Sequence, residues 1–584
     1  MLICTMSMSL FTACKDNDKT DNEKKTDVTD TYPLNLTALE ATTHMGNGIN
    51  LGNTLESYGH SSLGIKANMV AYETAWGQPV TTKEMIQGMK AAGFDTIRIP
   101  IAWTNMMDFE SGDYTIGKAY LDRVAEIVNW AIDAKMFVII NDHWDGGWWG
   151  KFGSATESTR EEAMKMYESM WTQIGNHFKD YSGYLIFESG NEELGDRLND
   201  RDLCPDSGSL SEDECYEMTN KINQKFVDTV RATGGVNAER FLLIAGYNTN
   251  IADTRDERFV MPTDSAESKL MVSVHYYDPW SYCGTEDNAE WGIKSEYSSL
   301  TRAISSLSVF TDKGYGVIIG EYGALPTKDG SLKDNTLEFT SAMLDLCTVY
   351  NVCPVLWDRG DFYSKKEYKI PHEDLAKLFA ENNYEVEKKS DKETLASAAQ
   401  DRLDAASSAA PSERELVIDM DKINAEGSTA WIMWSGYKST YSVGDKYDNT
   451  SATGGVVATD AKITGEGTYT VALDFTGVDG GCDTGFSFSA IGLSNGEILY
   501  PGYCIDIKEV KINGEVYTLT GEPFTTADDK ICTRTNLYNQ WVPTVPPEAR
   551  TVDGTPADSS AMVIDPATFT KIETIEVTFD YVAP

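Results

Sequence analysis

Two glutamates carry the strongest chemical signal: Glu192, in Ile186-Phe187-Glu188-Ser189-Gly190-Asn191-Glu192, and Glu321, in Ile319-Gly320-Glu321-Tyr322-Gly323. Each follows a short apolar run. A pair of carboxyl groups can divide labour, one held neutral to protonate a departing oxygen and the other ionised to attack carbon. Cleavage of a glycosidic bond needs that division, and a separation of ~5 Å lets the second carboxylate attack directly. Arg98, His143, Asn191, His275, Tyr277 and Trp357 fall at equivalent places along the chain. Arg98 and Tyr277 are suited to hydrogen-bond Glu321 and keep it ionised, because a nearby cation favours the charged form. Asn191 is suited to hold a substrate hydroxyl, and His143 and His275 to bind hydroxyls or tune proton transfer. Trp357 offers a flat face beneath a sugar ring. Singly, each has a plain explanation: a glutamate after an apolar run commonly caps a helix, a lone histidine is commonly structural, and Arg98-Ile99-Pro100 could be a salt-bridged strand end. The argument rests on their joint order.

Side chains scattered over so much sequence need a scaffold that gathers them. Near-continuous apolar runs at 48–51, 94–100, 136–141, 184–187, 241–246, 271–274, 316–320 and 354–357 read as strands buried on both faces. Helical patterns lie between them. Thr81-Thr82-Lys83-Glu84 precedes one as a capping sequence, and Leu121, Val124, Ile127, Val128 and Ala131 form the stripe of another. Eight strand–helix alternations over 36–380 predict an α/β fold, a (β/α)8 TIM barrel, whose functional side chains sit at the carboxyl ends of the strands. Every candidate residue falls there. A doubly wound sheet is the alternative, but Gly46-Asn47-Gly48 comes before or within the first strand rather than after it.

Several motifs resemble glycoside hydrolase family 5. They are Gly48-Ile49-Asn50-Leu51-Gly52-Asn53-Thr54-Leu55-Glu56, Trp76-Gly77-Gln78-Pro79, Gly93-Phe94-Asp95-Thr96-Ile97-Arg98-Ile99-Pro100 and the segment ending Asn191-Glu192. The likeness covers about residues 40–380 and is nearest to the subfamily 4 endoglucanases and xyloglucanases. It implies Glu192 as acid/base, Glu321 as nucleophile, and Arg98, His143, Asn191, His275, Tyr277 and Trp357 as their supporting shell. The expected activity is retaining endo-β-1,4-glucan hydrolysis without cofactor or metal, with β-glucan as partner and the chain acting as a monomer. A β-mannanase or xylanase on the same fold, and a glycan-binding surface lipoprotein without catalysis, are the alternatives; only a catalyst needs both carboxylates. Three positions depart from the pattern: Glu193 where proline is usual, Trp144 where a second histidine is common, and Arg359 where asparagine is frequent. These bear on subsite preference.

Aromatics supply 11% of the 584 residues, with 13 Trp and 29 Tyr. Trp148 and Trp149 lie in the Gly-rich run Asp145-Gly146-Gly147-Trp148-Trp149-Gly150, which reads as a loop where at least one would be exposed to stack on sugar; Trp280 is a second platform candidate. Residues 381–414 read as a linker, charged and then rich in Ala and Ser. From 415 to 584 alternating runs such as Thr468-Tyr469-Thr470-Val471-Ala472-Leu473-Asp474-Phe475 predict an antiparallel β-sandwich, a candidate carbohydrate-binding module. Trp431, Trp434, Tyr437, Tyr538 and Trp541 are its conspicuous aromatics. Trp431 and Trp434 are three apart, so one at most would join a planar face.

A net charge of −42 excludes nucleic acid and anionic membrane surfaces as partners. Residues 1–13 read as an export signal, and Phe11-Thr12-Ala13-Cys14 as a lipoprotein cleavage site with Cys14 lipidated. The membrane is then met only through that anchor, on an outer-membrane or cell-surface lipoprotein, and 14–35 form a disordered tether; plain secretion is the alternative. Ten Cys show no metal-ligand spacing, and Cys204 with Cys215 is the favoured disulfide pair.

Overall fold

The computed structural model describes residues 32–59, 63–65, 68–384, 388, 390–414, 418–442, 452–528 and 530–584. The export segment and Cys14 lie outside the described residues. The chain divides into two compact units, Met1–Arg414 and Glu415–Pro584.

In the first unit eight parallel strands close into a barrel: β1 (Gly48–Asn50), β2 (Thr96–Ile99), β3 (Phe137–Ile140), β4 (Leu185–Glu188), β5 (Leu242–Asn250), β6 (Leu270–Tyr276), β7 (Gly316–Tyr322) and β8 (Cys353–Leu356). Closure is made by β8 against β1, with Val355 opposite Gly48. The apolar runs have no polar alternation because both faces are buried, yet the period of two survives. Phe137, Ile139, Ile186, Leu243, Met271, Ile318 and Val355 form one buried cluster, which the helix Ala38–His44 joins through Ala38 and Ala41. Their neighbours Val138, Ile140, Phe187, Leu242, Val272 and Val317 belong to the separate core shared with the outer helices. Going up the strands, the positions in phase with the first cluster turn polar: Asn50, Arg98, Glu188 and Ser273. That polar layer is the floor of the mouth.

Four expectations need correction. The tether does not extend to residue 35: Lys269 Nζ donates to the carbonyls of Leu34 and Leu36 at 2.7 and 2.6 Å, tying the entering chain to the barrel. The segment 381–414 is not a bare linker. Its helix Lys392–Ala409 packs on the helix Thr336–Tyr350, with Ala399 and Leu403 buried and Arg402 Nε 3.0 Å from Asp345. Small residues gave it too thin an apolar stripe to be read as a packed helix. Cys204 and Cys215 are free thiols. Cys204 Sγ donates to Asp206 Oδ1 at 3.1 Å, while Cys215 sits in the first turn of the helix Glu212–Ala232 beside Asn199. The fourth correction concerns Trp148 and Trp149, which are both fully buried. Gly146 and Gly147 adopt left-handed φ of 73° and 77°, and a Cβ there would meet the Tyr58 ring at 2.3 Å and Asp202 at 2.9 Å. The glycines thus fold the segment inward. The two indoles stack at 4.6 Å, Trp148 Nε1 donates to Asp142 Oδ2 at 2.9 Å, and Trp149 Nε1 donates to the His143 carbonyl at 2.9 Å.

The second unit holds β9 (Ser428–Gly436), β10 (Thr440–Tyr441), β11 (Val457–Thr459), β12 (Ala461–Ile463), β13 (Gly467–Asp474), β14 (Phe486–Leu493), β15 (Cys504–Ile512), β16 (Glu515–Tyr517), β17 (Thr525–Asp528), β18 (Cys532–Asn539) and β19 (Thr574–Val582). One sheet runs β10-β9-β14-β18-β17, with β12 also on β9, and the other β11-β13-β19-β15-β16. All pairings are antiparallel, and a single core takes side chains from both sheets. Trp431 and Trp434 are both fully buried, so neither belongs to a surface face. Trp431 covers Gly492 on the neighbouring strand, and Trp434 packs on Phe475 and Phe486.

Burial of the stacked indoles makes a direct prediction. Trp148→Ala will lower unfolding stability by ~3–5 kcal/mol, measured by denaturant titration. A variant as stable as the parent, with only KM raised, would restore Trp148 to a sugar subsite.

Candidate active site

Arg98, on β2, is fully buried beneath the mouth. Its Nε donates to Glu188 Oε2 at 2.7 Å, Nη1 to Glu321 Oε1 at 2.9 Å and Asn50 Oδ1 at 3.1 Å, and Nη2 to Asn191 Oδ1 at 2.9 Å. Ser273 Oγ donates to the other oxygen of Glu188 at 2.6 Å. Asn50 Nδ2 donates to the carbonyls of Gly320 and Leu356 at 2.9 and 3.2 Å, tying β1 to β7 and β8. Side chains of β1, β4 and β7, with Asn191 just beyond β4, therefore converge on one guanidinium carried by β2.

Glu321 reaches the mouth through an irregularity. β6 and β7 pair Val274 with Ile319 and then His275 with Glu321, so Gly320 is an extra residue on β7. A Cβ at Gly320 would lie 3.0 Å from Ser273 Oγ and 3.2 Å from His275 Nε2, a tight fit that would press on both side chains. The bulge turns Glu321 inward after a strand whose alternation would have sent it outward. Tyr277 Oη donates to Glu321 Oε2 at 3.1 Å. His275 Nδ1 lies 2.9 Å from Glu192 Oε1 and 3.7 Å from Glu321 Oε2, bridging the two carboxylates. One ligand atom from each of these three residues falls within 4.8 Å of the others. Among the described residues this is the only such acidic–histidine cluster, and Arg98 already supplies its positive charge. The His143 ring lies parallel to Trp357, centroids 5.9 Å apart, with Nε2 3.9 Å from Glu321 Oε1.

The structure thus gathers Glu192, Glu321, Arg98, Asn191, His143, His275, Tyr277 and Trp357 at one mouth. Trp280 stands 63% exposed, edge-on to Tyr277 at 6.3 Å. A cleft of about 540 Å³ runs from Glu192 and His275 past Tyr277 to Trp280. Trp148 and Trp149 stay beneath the mouth, Trp149 holding the His143 carbonyl and Trp148 the Asp142 carboxylate. Sequence reasoning missed Glu188, Asn50 and Ser273. A glutamate closing an apolar strand was the available signal for Glu188, since a carboxylate buried there needs a cation as partner.

The two glutamates differ in environment. The Glu192 side chain is 39% exposed, whereas Glu321 is 6% exposed as a residue. Burial pushes Glu321 up from the usual carboxylate range, against the opposing pull of His275 and Arg98. For Glu192 burial also acts upward, but the His275 hydrogen bond and the charges of His275, Arg197 and Arg98 outweigh it, leaving a net lowering. Burial works against protonation of His275, yet Glu321 and Glu192 raise it overall. Burial and Arg98 drive His143 well below the ordinary imidazole value, so it is neutral. Burial and Glu321 keep Tyr277 a phenol, able to donate.

A closed parallel barrel whose mouth holds two facing carboxylates around a buried arginine has the architecture of a barrel glycosidase. Residues 58–362 match the model of the cellulase family, glycosyl hydrolase family 5, and the chain belongs to that family. It is 34% identical over 352 residues to the xyloglucan-specific endo-β-1,4-glucanase BoGH5A of Bacteroides ovatus, covering 57% of this chain and 66% of that protein. It is 34% identical over 354 residues to endoglucanase A of Paenibacillus barcinonensis, covering 56% and 83%. Among solved structures, the GH5-4 broad-specificity endoglucanase of Ruminococcus champanellensis with bound cellotriose aligns with a TM-score of 0.52 at 30% identity, over 59% of this chain and 98% of that one.

The three departures have distinct settings. Trp144 meets the Tyr58 ring edge-on at 5.7 Å, and Arg359 is tied to Asp361 at 2.8 Å. Glu193 is 1% exposed beside the catalytic candidate Glu192. Arg197 Nη1 sits 3.0 Å from Glu193 Oε1 and 4.0 Å from Glu192 Oε2, so one guanidinium serves both carboxyl groups. Among the described residues neither Glu193 oxygen has a well-aligned hydrogen bond. Burial outweighs Arg197 and pushes Glu193 up to about 7. The folded state therefore holds a proton that the unfolded chain releases above the ordinary glutamate value of 4.5, and stability falls as pH rises through that window toward about 7. Glu193→Gln will flatten this decline, by on the order of 3 kcal/mol between its ends. Denaturant midpoints at pH 5 and pH 8 measure it; parallel curves for parent and variant would show that Glu193 is ionised throughout.

Proposed function

We propose that this protein is a retaining endo-β-1,4-glucanase in which Glu321 is the nucleophile and Glu192 the acid/base. The observation that carries this reading is the facing pair, with carboxylate oxygens of Glu192 and Glu321 within 4.8 Å, against the ~5–5.5 Å of retaining enzymes. Arg98 and Tyr277 each hold one oxygen of Glu321, which orients the carboxylate toward the mouth. In the first step a Glu321 oxygen bonds to the anomeric carbon. The bond to the leaving oxygen breaks with its electron pair on that oxygen, which takes the proton from Glu192. In the second step Glu192 removes a proton from water, the water oxygen bonds to the anomeric carbon, and Glu321 leaves as carboxylate. Configuration is retained after two inversions.

Glu192 must be protonated for the first step, although its empty-site environment favours the carboxylate. A glycan seated over it displaces water from a side chain that is 39% exposed. That desolvation favours the neutral acid. His275, 2.9 Å away, is the group positioned to deliver the proton. Asn191, held by Arg98 through its carbonyl oxygen, keeps its amide for a sugar hydroxyl. The cleft from Glu192 to Trp280 receives the departing part of the chain. The named activities of the relatives support a β-1,4-glucan backbone, with xyloglucan and mixed-linkage glucan as the decorated and kinked forms to compare.

The sequence of residues 1–14 supports export and a lipid anchor on Cys14. Among the described residues no helix is long and apolar enough to cross a membrane. In a bacterial host, labelling with an alkynyl palmitate analogue should mark the parent and leave Cys14→Ala unmarked; equal labelling removes the anchor from this account.

Reducing-end release from xyloglucan, barley β-glucan, cellulose and mannan tests the activity. Glu321→Gln should lose at least ~10³-fold on every substrate. Glu192→Gln should lose as much on polymers but far less on a dinitrophenyl cellobioside, whose leaving group needs no proton. Equal losses on both substrate types would take the acid/base role away from Glu192, and hydrolysis of mannan alone would replace the glucan assignment.

A further inference from the structure

The two most exposed large apolar side chains among the described residues are both aromatic and both in the second unit: Tyr437 at 80% and Trp541 at 65%. Topology places them together. Tyr437 lies at the tip of the β9–β10 hairpin, one residue beyond β9, and Trp541 lies two residues beyond β18. β9 and β18 flank β14 and both run antiparallel to it, with Gly436 opposite Phe486 and Asn539 opposite Phe488. Their carboxyl ends therefore overhang the same end of the sheet, two inter-strand spacings or about 10 Å apart.

Both overhangs are built from beneath. Buried Asp483 accepts from Trp434 Nε1 and from the Tyr437 amide, each at 3.0 Å, and from Ser439 Oγ, which pins the hairpin tip. Asn539 Oδ1 accepts the Trp541 amide at 3.1 Å, and its carbonyl accepts Val542 N at 3.2 Å, closing that turn. Between them Phe486 packs on Trp434 at 4.5 Å and on Tyr538 at 5.5 Å, so the core is complete without the two outer rings. A groove lined by Val542, Pro543, Pro546 and Ala561 runs on from Trp541.

Single exposed aromatics need no explanation, but two rings held at one sheet end by dedicated turns do. Lys438 and Gln540 are their sequence neighbours, and the carboxylate at this sheet end, Asp483, is buried with its oxygens taken by Trp434, Tyr437 and Ser439, while the chain as a whole carries −42. A flat, uncharged ligand fits that setting. In a β-1,4-glucan every second unit presents the same face, and the disaccharide repeat is of the same order as the separation of the strand ends. We propose that Tyr437 and Trp541 form a glycan-binding platform that holds a β-1,4-glucan chain independently of the active cleft. The choice of glucan rests on the activity proposed above; the platform itself does not. Its effect is to convert encounter with an insoluble polymer into a local search, raising the effective concentration of substrate.

The test uses the full chain carrying Glu321→Gln, with Trp280→Ala and Trp357→Ala added to weaken the cleft's own hold on glycan, and measures retention in xyloglucan and barley β-glucan gels and on cellulose. The parent should be retained. Tyr437→Ala and Trp541→Ala should each weaken retention several-fold and together abolish it, with unchanged melting temperatures. Tyr437→Phe and Trp541→Phe should restore it, because they keep the stacking ring. Retention of the double alanine variant equal to the parent, or no retention of the parent on any glucan, overturns the platform. Retention only on xylan or mannan overturns the glucan assignment. Ring-dependent retention by a chain that, with Glu321 intact, hydrolyses no glucan leaves the platform standing and removes the proposed activity.

Discussion

A fully buried guanidinium is the constraint around which the barrel mouth is arranged. Removing Arg98 from water costs several kcal/mol unless its charge and donors are matched inside the protein. Glu188 and Glu321 match the charge, and Asn50 and Asn191 take further donors. Each partner is held elsewhere: Glu188 by Ser273, and Asn50 by the carbonyls of Gly320 and Leu356. The position of Glu321 is therefore set by β1, β2, β4 and β6 together with its own strand β7. The same charge that stabilises the floor also orients the carboxylate above it.

Much of this was legible in the chain because a parallel barrel writes its strands plainly. Segments buried on both faces must be apolar for four or five residues, so the first polar residue at the end of such a run is conspicuous. That is why Arg98, His143, Asn191-Glu192, His275 and Glu321 could be picked out in order, and why all of them meet at one mouth. Glu188 was passed over although it is the first polar residue after the run 184–187: it lies in the floor of the mouth, where it serves the arginine. The bulge at Gly320 was equally invisible, since only the facing Ser273 and His275 show how little space a side chain would have there.

Where the reading failed, composition had stood in for packing. The Gly-rich run holding Trp148 and Trp149 suggested an open loop, but left-handed glycines fold it under Tyr58 and bury both indoles. The Ala/Ser-rich segment suggested a linker, but small side chains also let the helix Lys392–Ala409 lie close against its neighbour. Cysteine proximity in sequence suggested a disulfide, while the local structure satisfies Cys204 through Asp206. In each case the missing information was the identity of the surface on the other side.

The proposed division between acid and nucleophile rests on the unequal environments of the two carboxylates. Glu321 is enclosed, and its oxygens are assigned to Arg98 and Tyr277, so its position is fixed before substrate arrives. Glu192 is half open to solvent, and its environment changes when a glycan covers it. His275 lies between them, and the charges of both carboxylates raise its affinity for a proton against the effect of burial. Substrate binding removes water from the Glu192 side of this trio far more than from the Glu321 side. The resulting rise in proton affinity would fall on Glu192, the residue proposed to donate. Glu193 adds a second carboxyl behind Glu192, sharing Arg197 with it, and this is where the chain departs from its family's usual proline. Whatever charge Glu193 carries is felt at Glu192 through that shared guanidinium, so this buried neighbour tunes the donor without touching the sugar.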